Sequence, residues 1–409
     1  MNICRACYAQ ADSVVSFGKM PIANNFLSQK DFNEEYFFEL EALFCSCCKT
    51  FQLKDQPQPE KMFHENYAFF SGTSKKMATH FEKMACTYLD QYIQNQSEAF
   101  IVELGSNDGI MLQNFAEQGI NHLGVEPSLN VATVAREKGV NTLVSFFGEE
   151  TASEIVRKYG QADIICGANV MCHIPDLSSV ARGVQLLLKK NGVFVFEEPY
   201  VGDMICKTSY DQIYDEHVYM FSLESVKNIF EPYGLQLFHV EPQETHGGSM
   251  RYYLCFQRQK VVQDSVLKQL KIEQELGLSE LQTYVEFGKA CQKSRADLIK
   301  LLTDLKKSGK RVVGYAATSK STTILNYCQI GSDLIEYISD TTPVKQGKYS
   351  PGMHIPIKPY QVFTSDVPDY AVLFAWNHAQ EIFEKEEDFI KRGGRWITFI
   401  PEVKVVDLT

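Results

Sequence analysis

Two pairs of closely spaced cysteines near the start constrain the fold of this chain most strongly. The first pair is Cys4 and Cys7, and the second is Cys45 and Cys48, about forty residues later. Two C-x-x-C knuckles at this separation supply four thiolates, the tetrahedral ligand set of a structural zinc ribbon. Cys47 interrupts the second knuckle. Because two residues must separate the ligands, we predict that Cys47 is spare.

Residues 1–62 are therefore predicted to form a zinc-binding module of short strands and turns. A segment this short buries little apolar surface, so the metal would supply much of its folding energy. The alternative is a group of buried thiols without a metal, which the spacing favours less. The remaining cysteines are scattered in apolar contexts and are expected to be core residues.

Charge and composition exclude several classes of function. The chain has 409 residues, an ordinary globular composition and a formal net charge of −11. An acidic chain has no general attraction to nucleic acid or to an anionic membrane. The start lacks a basic-then-apolar signal, and no apolar run approaches a membrane span. Twelve cysteines without an export signal favour a reducing compartment, so we expect the protein to be cytoplasmic.

Short apolar runs, including predicted strands at 100–104 and 162–168, alternate with helical segments across residues 63–262. This alternation predicts an α/β domain with a doubly wound, mostly parallel sheet, and a helix through Phe115 after the turn at 105–109. Two later runs, 235–242 and 250–257, are expected to close that sheet as an antiparallel hairpin. A charged helical connector at 263–308 follows. The strand–turn–helix pattern then restarts, predicting a second Rossmann-like α/β domain at 309–409 with a strand at 334–340.

A glycine-containing turn, ELGSNDG at 103–109, follows the first strand of the predicted core. Glycine allows a ligand to approach the backbone closely, and open α/β sheets bind ligands at this edge. The turn does not match G-x-G-x-x-G, so a pyrophosphate is not the expected guest. Glu126 ends the second strand, where a carboxylate accepts both hydroxyls of a ribose. Asn169 follows the third strand at the same crevice.

This combination is similar to the S-adenosyl-L-methionine site of class I methyltransferases. The resemblance implies that Gly105 and Gly109 flank the methionine part, that Glu126 holds the ribose and that Asp108 helps to fix the amino-acid end. A glycine turn without any ligand is the alternative. The predicted cofactor-binding residues are Glu103, Gly105, Ser106, Asn107, Asp108, Gly109, Glu126, Pro127 and Asn169.

Polar and aromatic residues concentrate in SYDQIYDEHVYMFS, residues 209–222. His217 beside Glu216 is a candidate general base, because a carboxylate can hold the ring. The Tyr214 hydroxyl can donate to a developing oxyanion. His173 follows Asn169 by four residues and faces the same crevice if the intervening turn is helical. These residues alone leave open a packed polar loop without catalysis.

The ordered blocks resemble one family along essentially the whole chain. They are the two C-x-x-C knuckles, the loop at 67–74, VELGSNDG, NVMCHIPDL, EEPYVGD, IYDEHVYMFS, THGGSMR, GYAATSKSTTILNY and GKYSPGMHIPI. The chain resembles bacterial sugar C-methyltransferases, which methylate the third carbon of nucleotide-linked 4-keto-6-deoxyhexoses. The resemblance implies a zinc-binding lead, a methyltransferase core that uses S-adenosyl-L-methionine, and a Rossmann-like tail that helps to hold a nucleotide-sugar, expected to be dTDP-linked.

The resemblance also implies roles at the reaction centre. His217 would remove the proton next to the ketone, and Glu216 would orient or support that base. Tyr214 and Tyr67 would contact the keto-sugar and its enolate oxygen, and His173 would line the centre.

Other residues are implied to contact the nucleotide. Tyr315, Ser319 and Lys320 would lie near the thymidine nucleotide, with Lys320 a phosphate contact. Arg251 is a second phosphate candidate. The family's tail block usually reads closer to GYGAPAKG, so Ala316 to Ser319 depart from it, and His378 stands where an aromatic residue is commoner. A solvated helix-start lysine remains the alternative for Lys320.

Two rival functions are compatible with parts of the sequence. A methyltransferase acting on a hydroxyl or an amine needs a similar base, so only the resemblance separates it from the carbon case. A zinc-ribbon protein that binds nucleic acid would use the α/β domains as a scaffold. The acidic charge and the lack of basic–aromatic patches argue against that second rival.

Overall fold

Three β-sheets organise the computed structural model, which describes residues 2–58, 62, 71–73 and 75–407. The first sheet is antiparallel and has the strand order β1-β2-β3-β9. Its strands are β1 (Asp12–Pro21), β2 (Phe37–Phe44), β3 (Phe51–Leu53) and β9 (Tyr219–Met220). Since β9 lies far along the chain, the cysteine-containing segment shares its sheet with the following α/β core.

The second sheet has seven strands in the order β10-β11-β8-β7-β4-β5-β6. Five of them, from β6 to β8 in that order, pair in parallel. The predicted hairpin is confirmed, because β11 pairs antiparallel with both β10 and β8. The strands are β4 (Phe100–Leu104), β5 (Asn121–Val125), β6 (Thr142–Leu143), β7 (Ala162–Ala168), β8 (Leu188–Pro199), β10 (Leu235–Gln243) and β11 (Ser249–Phe256).

Helices cover both faces of this sheet, as apolar runs on parallel strands require. In the helix Leu177–Leu187, buried residues recur at helical spacing, and the Asp176 side chain accepts the Ser179 N–H at its start. The helix expected right after the glycine turn is shorter than predicted, only four residues. The helices are α1 (Lys75–Tyr92), α2 (Gln113–Ala116), α3 (Leu129–Glu137), α4 (Glu149–Tyr159), α5 (Leu177–Leu187), α6 (Val201–Lys207) and α7 (Leu223–Phe230).

Two helices, α8 (Asp264–Glu275) and α9 (Leu281–Lys307), form the charged connector. The third sheet follows, with the order β14-β13-β12-β15-β16-β17 and only β17 antiparallel. Its strands are β12 (Val312–Tyr315), β13 (Ile338–Asp340), β14 (Ile357–Pro359), β15 (Tyr370–Leu373), β16 (Arg395–Thr398) and β17 (Lys404–Val405). Its helices are α10 (Ser319–Cys328), α11 (Tyr360–Ser365), α12 (Ala379–Lys385) and α13 (Glu387–Lys391).

An aromatic cluster joins all three sheet-forming parts of the chain. Phe17 of β1, Tyr210 of the core and Tyr327 of α10 pack with ring centroids 4.9 to 6.2 Å apart. Buried apolar residues continue from this cluster into each part without a break. The first and third sheets are thus packed against the core rather than tethered to it. In the described residues, no helix combines the length and apolarity that crossing a bilayer requires.

Candidate active site

The four predicted zinc ligands converge at one end of the first sheet. The sulfur atoms of Cys4, Cys7, Cys45 and Cys48 all lie within 4.8 Å of one another. The Cys4–Cys48 and Cys7–Cys45 separations are 3.4 and 3.5 Å. A zinc ion with bonds of about 2.3 Å holds its sulfurs roughly 3.8 Å apart, so this cluster fits tetrahedral zinc. Cys47 is exposed and outside the cluster.

The glycine turn after β4 brings backbone close to neighbouring elements. Gly105 has a φ of +61°, and a Cβ there would lie 2.5 Å from Val170 Cγ2. Any larger residue would therefore strain the backbone and collide with the next loop. Gly109, with a φ of +78°, is packed against Val140 in the same way. Gly105 lines a cavity that extends from this turn to the loop that carries His217, whereas Gly109 does not line it.

Glu126 lies opposite the glycine turn, at the end of β5. Its Oε2 accepts the Asn107 N–H at 2.9 Å and its Oε1 accepts the Ser128 N–H at 2.8 Å. Burial raises the pKa of this carboxyl, and the two backbone donors oppose that shift. Each oxygen keeps a second lone pair, and Glu126 and Pro127 line the cavity. This is the donor–acceptor pattern that a pair of vicinal hydroxyls can complete.

Three other predicted cofactor residues are buried behind this lining. Glu103 Oε2 and Ser106 Oγ have no hydrogen-bond partner among the described residues. Burial, reinforced by Glu126 and Asp108, raises the Glu103 pKa well above its ordinary value. Asp108 accepts the Gly72 N–H at 3.1 Å and pairs with Lys138 at 3.1 Å. Asp108 therefore ties the turn at 71–73 to the core and does not reach the cavity.

One cavity of about 630 Å³ joins the glycine crevice to the predicted reaction centre and to the third sheet. Small-molecule sites are typically about 300–1,000 Å³. The cavity also fits S-adenosyl-L-methionine in chemistry, with a close backbone turn at Gly105 and an acceptor at Glu126. The predicted site residues that line it are Gly105, Asn107, Glu126, Pro127, Asn169, His173, Tyr214, Glu216, His217, Ser319 and Lys320.

His217 has a defined tautomer at the centre of this cavity. Its Nδ1 lies 2.7 Å from the Gln212 carbonyl oxygen, which only accepts, so Nδ1 carries the hydrogen. Its Nε2 lies 2.7 Å from the Tyr214 hydroxyl, which therefore donates to the ring. Burial, helped by His173 nearby, lowers the pKa of His217 well below its ordinary value. The imidazole is thus neutral, and its Nε2 lone pair accepts the Tyr214 hydroxyl hydrogen.

His173 lies against this imidazole. The two rings stack with centroids 5.4 Å apart and an interplanar angle of 22°. Burial and then His246 lower the pKa of His173 to about 3, so it too is neutral. Two neutral imidazoles can share a buried cavity without charge repulsion.

Glu216 makes a different contact from the one expected. Its Oε1 accepts the Asn24 side-chain N–H at 2.7 Å, whereas the Gln212 carbonyl oxygen is the partner of His217 Nδ1. Consecutive residues in the tight turn from Tyr214 to His217 point in different directions, so adjacency in sequence does not place this carboxylate on the ring. Tyr67 lies outside the described residues.

Ser319 and Lys320 are the first two residues of α10, in the part of the chain that forms the third sheet. Lys320 Nζ donates to the His246 carbonyl oxygen at 3.3 Å and lies 5.1 Å from the centroid of the Trp376 ring. Burial lowers the Lys320 pKa. The hypothesis of a solvated surface lysine is therefore less consistent with the structure than a cation held beside the cavity.

Two predicted substrate contacts do not line the cavity. Arg251 donates to Glu197 Oε2 through Nε and Nη2, at 3.0 and 2.8 Å, and to Glu241 at 3.2 Å. Its guanidinium is thereby committed to the buried Glu197 and the partly exposed Glu241. The Tyr315 hydroxyl donates to Glu386 at 2.7 Å within the core of the third sheet. Neither prediction anticipated these internal partners.

Among the residues of this cavity lining that sequence reasoning missed are two polar ones, Asn24 and His246. His246 has a φ of +55° and precedes two glycines with positive φ, so its backbone is held in a sparsely populated region. Its Nε2 is buried without a hydrogen-bond partner among the described residues. The paired glycines of THGG were the available signal. Asn24, a single residue between two strands, carried none.

Three family models match successive parts of the chain. The first, "Putative zinc binding domain", matches residues 4–63, and the second, "Methyltransferase domain", matches 77–240. The third, "C-methyltransferase C-terminal domain", matches 244–401. The three matches follow the order of the cysteine cluster, the glycine crevice and the third sheet.

The C-methyltransferase NovU of Streptomyces niveus is 34% identical over 406 residues, 98% of this chain and 96% of that protein. A ubiquinone biosynthesis O-methyltransferase of Histophilus somni (strain 2336) is 30% identical over 145 residues, 28% of this chain and 60% of that protein. The magnesium protoporphyrin IX methyltransferase of Synechocystis PCC 6803 with bound SAH gives a TM-score of 0.34 at 10% identity, covering 43% of this chain and 82% of that one.

The topology, the glycine–acid crevice and the four-cysteine cluster define a class I methyltransferase with S-adenosyl-L-methionine as its cofactor and a zinc-binding lead. Within that class the chain belongs to the C-methyltransferase family, since the likeness to NovU extends over nearly the full length of both proteins.

Proposed function

We propose that this enzyme methylates the third carbon of a dTDP-linked 4-keto-6-deoxyhexose, the carbon next to the ketone. The observation that carries the proposal is the neutral His217 imidazole with its Nε2 on a cavity shared with the methyl-donor crevice. A carbon acid next to a ketone requires a base at this place, whereas the donor supplies no base. The family resemblance given above supports the sugar and the nucleotide.

The Tyr214–His217 pair provides the proton transfer. Nε2 of His217 accepts the Tyr214 hydroxyl hydrogen at 2.7 Å. If that hydrogen turns toward the keto oxygen of the substrate, the same movement frees the Nε2 lone pair for the C–H proton. Tyr214 then stabilises the enolate oxygen while His217 holds the proton. The Gln212 carbonyl keeps Nδ1 protonated throughout, so the ring cannot present the wrong nitrogen.

A histidine whose pKa lies below its ordinary value is a weak base, so the enolate must be stabilised strongly for proton removal to proceed. Burial of the site does this, because hydrogen bonds from fixed donors are stronger away from water. S-adenosyl-L-methionine supplies an electrophilic methyl group when bound. Glu126, with Asn107 and Gly105, would hold it at the crevice.

The third sheet would hold the nucleotide end of the substrate. Ser319 and Lys320 line the cavity from the start of α10, the first helix of the third-sheet part of the chain. We assign Lys320 to the diphosphate, because an ammonium group beside a helix start attracts phosphate oxygens. Ser319 would contribute a hydroxyl at the same place.

Hydrogen–deuterium exchange tests the proposal directly. The wild-type enzyme, incubated in D2O with a dTDP-4-keto-6-deoxyhexose and S-adenosyl-L-homocysteine, should exchange the hydrogen at the third carbon but should not methylate. The variant His217→Ala should lose this exchange by about 10²–10⁴-fold, as expected for a unique general base. It should lose methylation to the same extent when S-adenosyl-L-methionine replaces S-adenosyl-L-homocysteine. An O- or N-methyltransferase would show turnover without carbon exchange.

Calorimetry supplies the control for that variant. His217→Ala should bind S-adenosyl-L-homocysteine as the wild type does, because the ring contacts Gln212 and Tyr214 rather than the glycine crevice. Near-normal turnover in His217→Ala would contradict the assignment of the base. Wild-type enzyme that neither exchanges nor methylates this substrate would contradict the substrate class.

A further inference from the structure

A turn at Ala23 and Asn24 carries the cysteine-containing segment into the junction of all three parts of the molecule. The Ala23 N–H donates to Asp215 Oδ1 at 3.0 Å, and its carbonyl oxygen accepts the Thr322 hydroxyl at 2.9 Å. The buried Ala23 is thus bonded on one side to the loop that carries His217 and on the other side to α10. The backbone of this turn is held where the core and the third sheet meet.

The Asn24 side chain makes the equivalent pair of bonds. Its Nδ2 donates to Glu216 Oε1 at 2.7 Å, and its Oδ1 accepts the Ser319 hydroxyl at 3.1 Å. An ionised carboxylate only accepts, so this contact sets which end of the amide faces Glu216. All three residues line the cavity described above. Asn24 therefore bridges the residue before the proposed base to the first residue of α10.

We propose that Asn24 is a positioning residue for the reaction, acting through Glu216, and that the zinc-binding segment thereby contributes to the active site. This inference rests on the proposed function. The Glu216 carboxylate is directed by a donor from a different part of the chain, and that donor is itself oriented by Ser319. The residue beside Ser319, Lys320, is the one assigned to the diphosphate, so the contact joins the nucleotide end of the cavity to its catalytic end.

The nearby carboxylates explain why the amide matters. Asp215 and Glu216 are adjacent, and burial followed by the charge of Glu216 raises the pKa of Asp215. A donor on each carboxylate, Ala23 N–H on one and Asn24 Nδ2 on the other, offsets the repulsion between them. The loop that carries His217 is held in place by contacts that the core alone does not supply.

Two substitutions test Asn24. Asn24→Asp is nearly isosteric but places a carboxylate against Glu216, and Asn24→Ala removes both hydrogen bonds. We expect kcat to fall at least tenfold in Asn24→Ala and further in Asn24→Asp, since hydrogen bonds to charged groups are among the stronger ones. Zinc content, thermal midpoint and affinity for S-adenosyl-L-homocysteine should stay at wild-type values. Asn25→Ala, an exposed asparagine in the same turn, is the matched control.

Three outcomes separate the possibilities. Turnover within twofold of wild type in both Asn24 variants would overturn the inference while leaving the proposed function intact. Loss of turnover together with loss of zinc or a lowered thermal midpoint would also overturn it, because Asn24 would then stabilise the fold rather than position Glu216. Wild-type enzyme that fails to exchange or methylate the keto-sugar nucleotide would overturn the proposed function instead.

Discussion

At the scale of single residues, two adjacent carboxylates on β8 have opposite electrostatic environments. Burial alone would raise the Glu197 pKa, but hydrogen bonds and charge from His80 and Arg251 lower it to about 2. Burial raises the Glu198 pKa to about 7, and its Oε1 accepts the N–H groups of Val170 and Met171. Glu198 therefore holds the loop between Asn169 and His173 at an electrostatic cost that Glu197 does not incur.

The Glu198→Gln variant should reveal that cost as a difference in thermal stability from the wild type that changes with pH. In the wild type, the folded state holds the Glu198 proton more tightly than the unfolded state, whose pKa is near 4.5. Stability from this group therefore falls as the pH rises from about 4.5 to about 7 and is level above that. Glutamine keeps the acceptor and cannot ionise. Thermal midpoints should favour Glu198→Gln more at pH 8 than at pH 5, and a constant difference would contradict the assigned shift.

The neighbouring variant Glu197→Gln should behave in the opposite way. A lowered pKa means that Glu197 adds stability above its unfolded pKa and loses it as the pH falls from about 4.5 toward 2. Removing one partner of a buried ion pair costs about 3–5 kcal/mol, because Arg251 then keeps only the partly exposed Glu241 as a counter-charge. Urea unfolding at pH 7 should show that loss, and the difference from wild type should shrink below pH 4. An unchanged midpoint at pH 7 would refute it.

At the scale of elements, the turn between β4 and α2 can be tested through its glycines. Gly105→Ala adds a Cβ that lies 2.5 Å from Val170 Cγ2, on a backbone with a φ of +61°. Gly119→Ala meets nothing within 4 Å at a φ of +69° and is the matched control. Both variants should lose about 1–2 kcal/mol through the left-handed backbone.

Only Gly105→Ala should lose more than that, because only there does the new methyl group collide with a neighbour. We expect urea unfolding to show a further loss of about 1–3 kcal/mol, and calorimetry to show at least tenfold weaker binding of S-adenosyl-L-homocysteine. Equal effects in the two alanine variants would mean that close approach at Gly105 does not shape the crevice.

At the scale of the whole molecule, the cysteine cluster and the loop that carries His217 adjoin the same sheet. β3, close after Cys48, pairs with β9, which follows His217 by two residues. The Leu53 N–H also donates to the Val218 carbonyl oxygen at 2.7 Å. The first sheet therefore links the cysteine cluster directly to the segment that carries the proposed base.

Removal of the metal should lower turnover more than it weakens binding of the methyl donor. Cys45→Ser, or chelation of the wild type, should abolish zinc binding and lower kcat, because structural zinc supplies folding energy to its module. Affinity for S-adenosyl-L-homocysteine should change less, since the glycine crevice belongs to a different sheet. Cys47→Ser, in the same knuckle but outside the cluster, should keep its zinc and its activity. Full turnover in metal-free enzyme would contradict this coupling.

Local patterns in the chain sufficed for much of the architecture. The alternation of apolar runs predicted the parallel sheet, and the strands at 100–104 and 162–168 have the expected bounds. The expected strand at 334–340 is shorter, Ile338–Asp340, because only those residues find a partner strand in the third sheet. Helix length after the glycine turn was also overestimated, since backbone hydrogen bonding in that region begins as a series of turns.

The sequence by itself determined the four clustered cysteines and the glycine–acid crevice, because each depends on residues close together in the chain or at the ends of neighbouring strands. Only the tertiary structure decided that the Gln212 carbonyl orients His217, that Arg251 is bound to Glu197, and that Asn24 joins Glu216 to Ser319. Arg251 and Glu197 lie opposite each other on the paired strands β11 and β8, and Asn24 meets Glu216 and Ser319 from separate parts of the molecule. A backbone carbonyl or a lone amide leaves no pattern in the sequence, so these contacts are set only by strand pairing and tertiary packing.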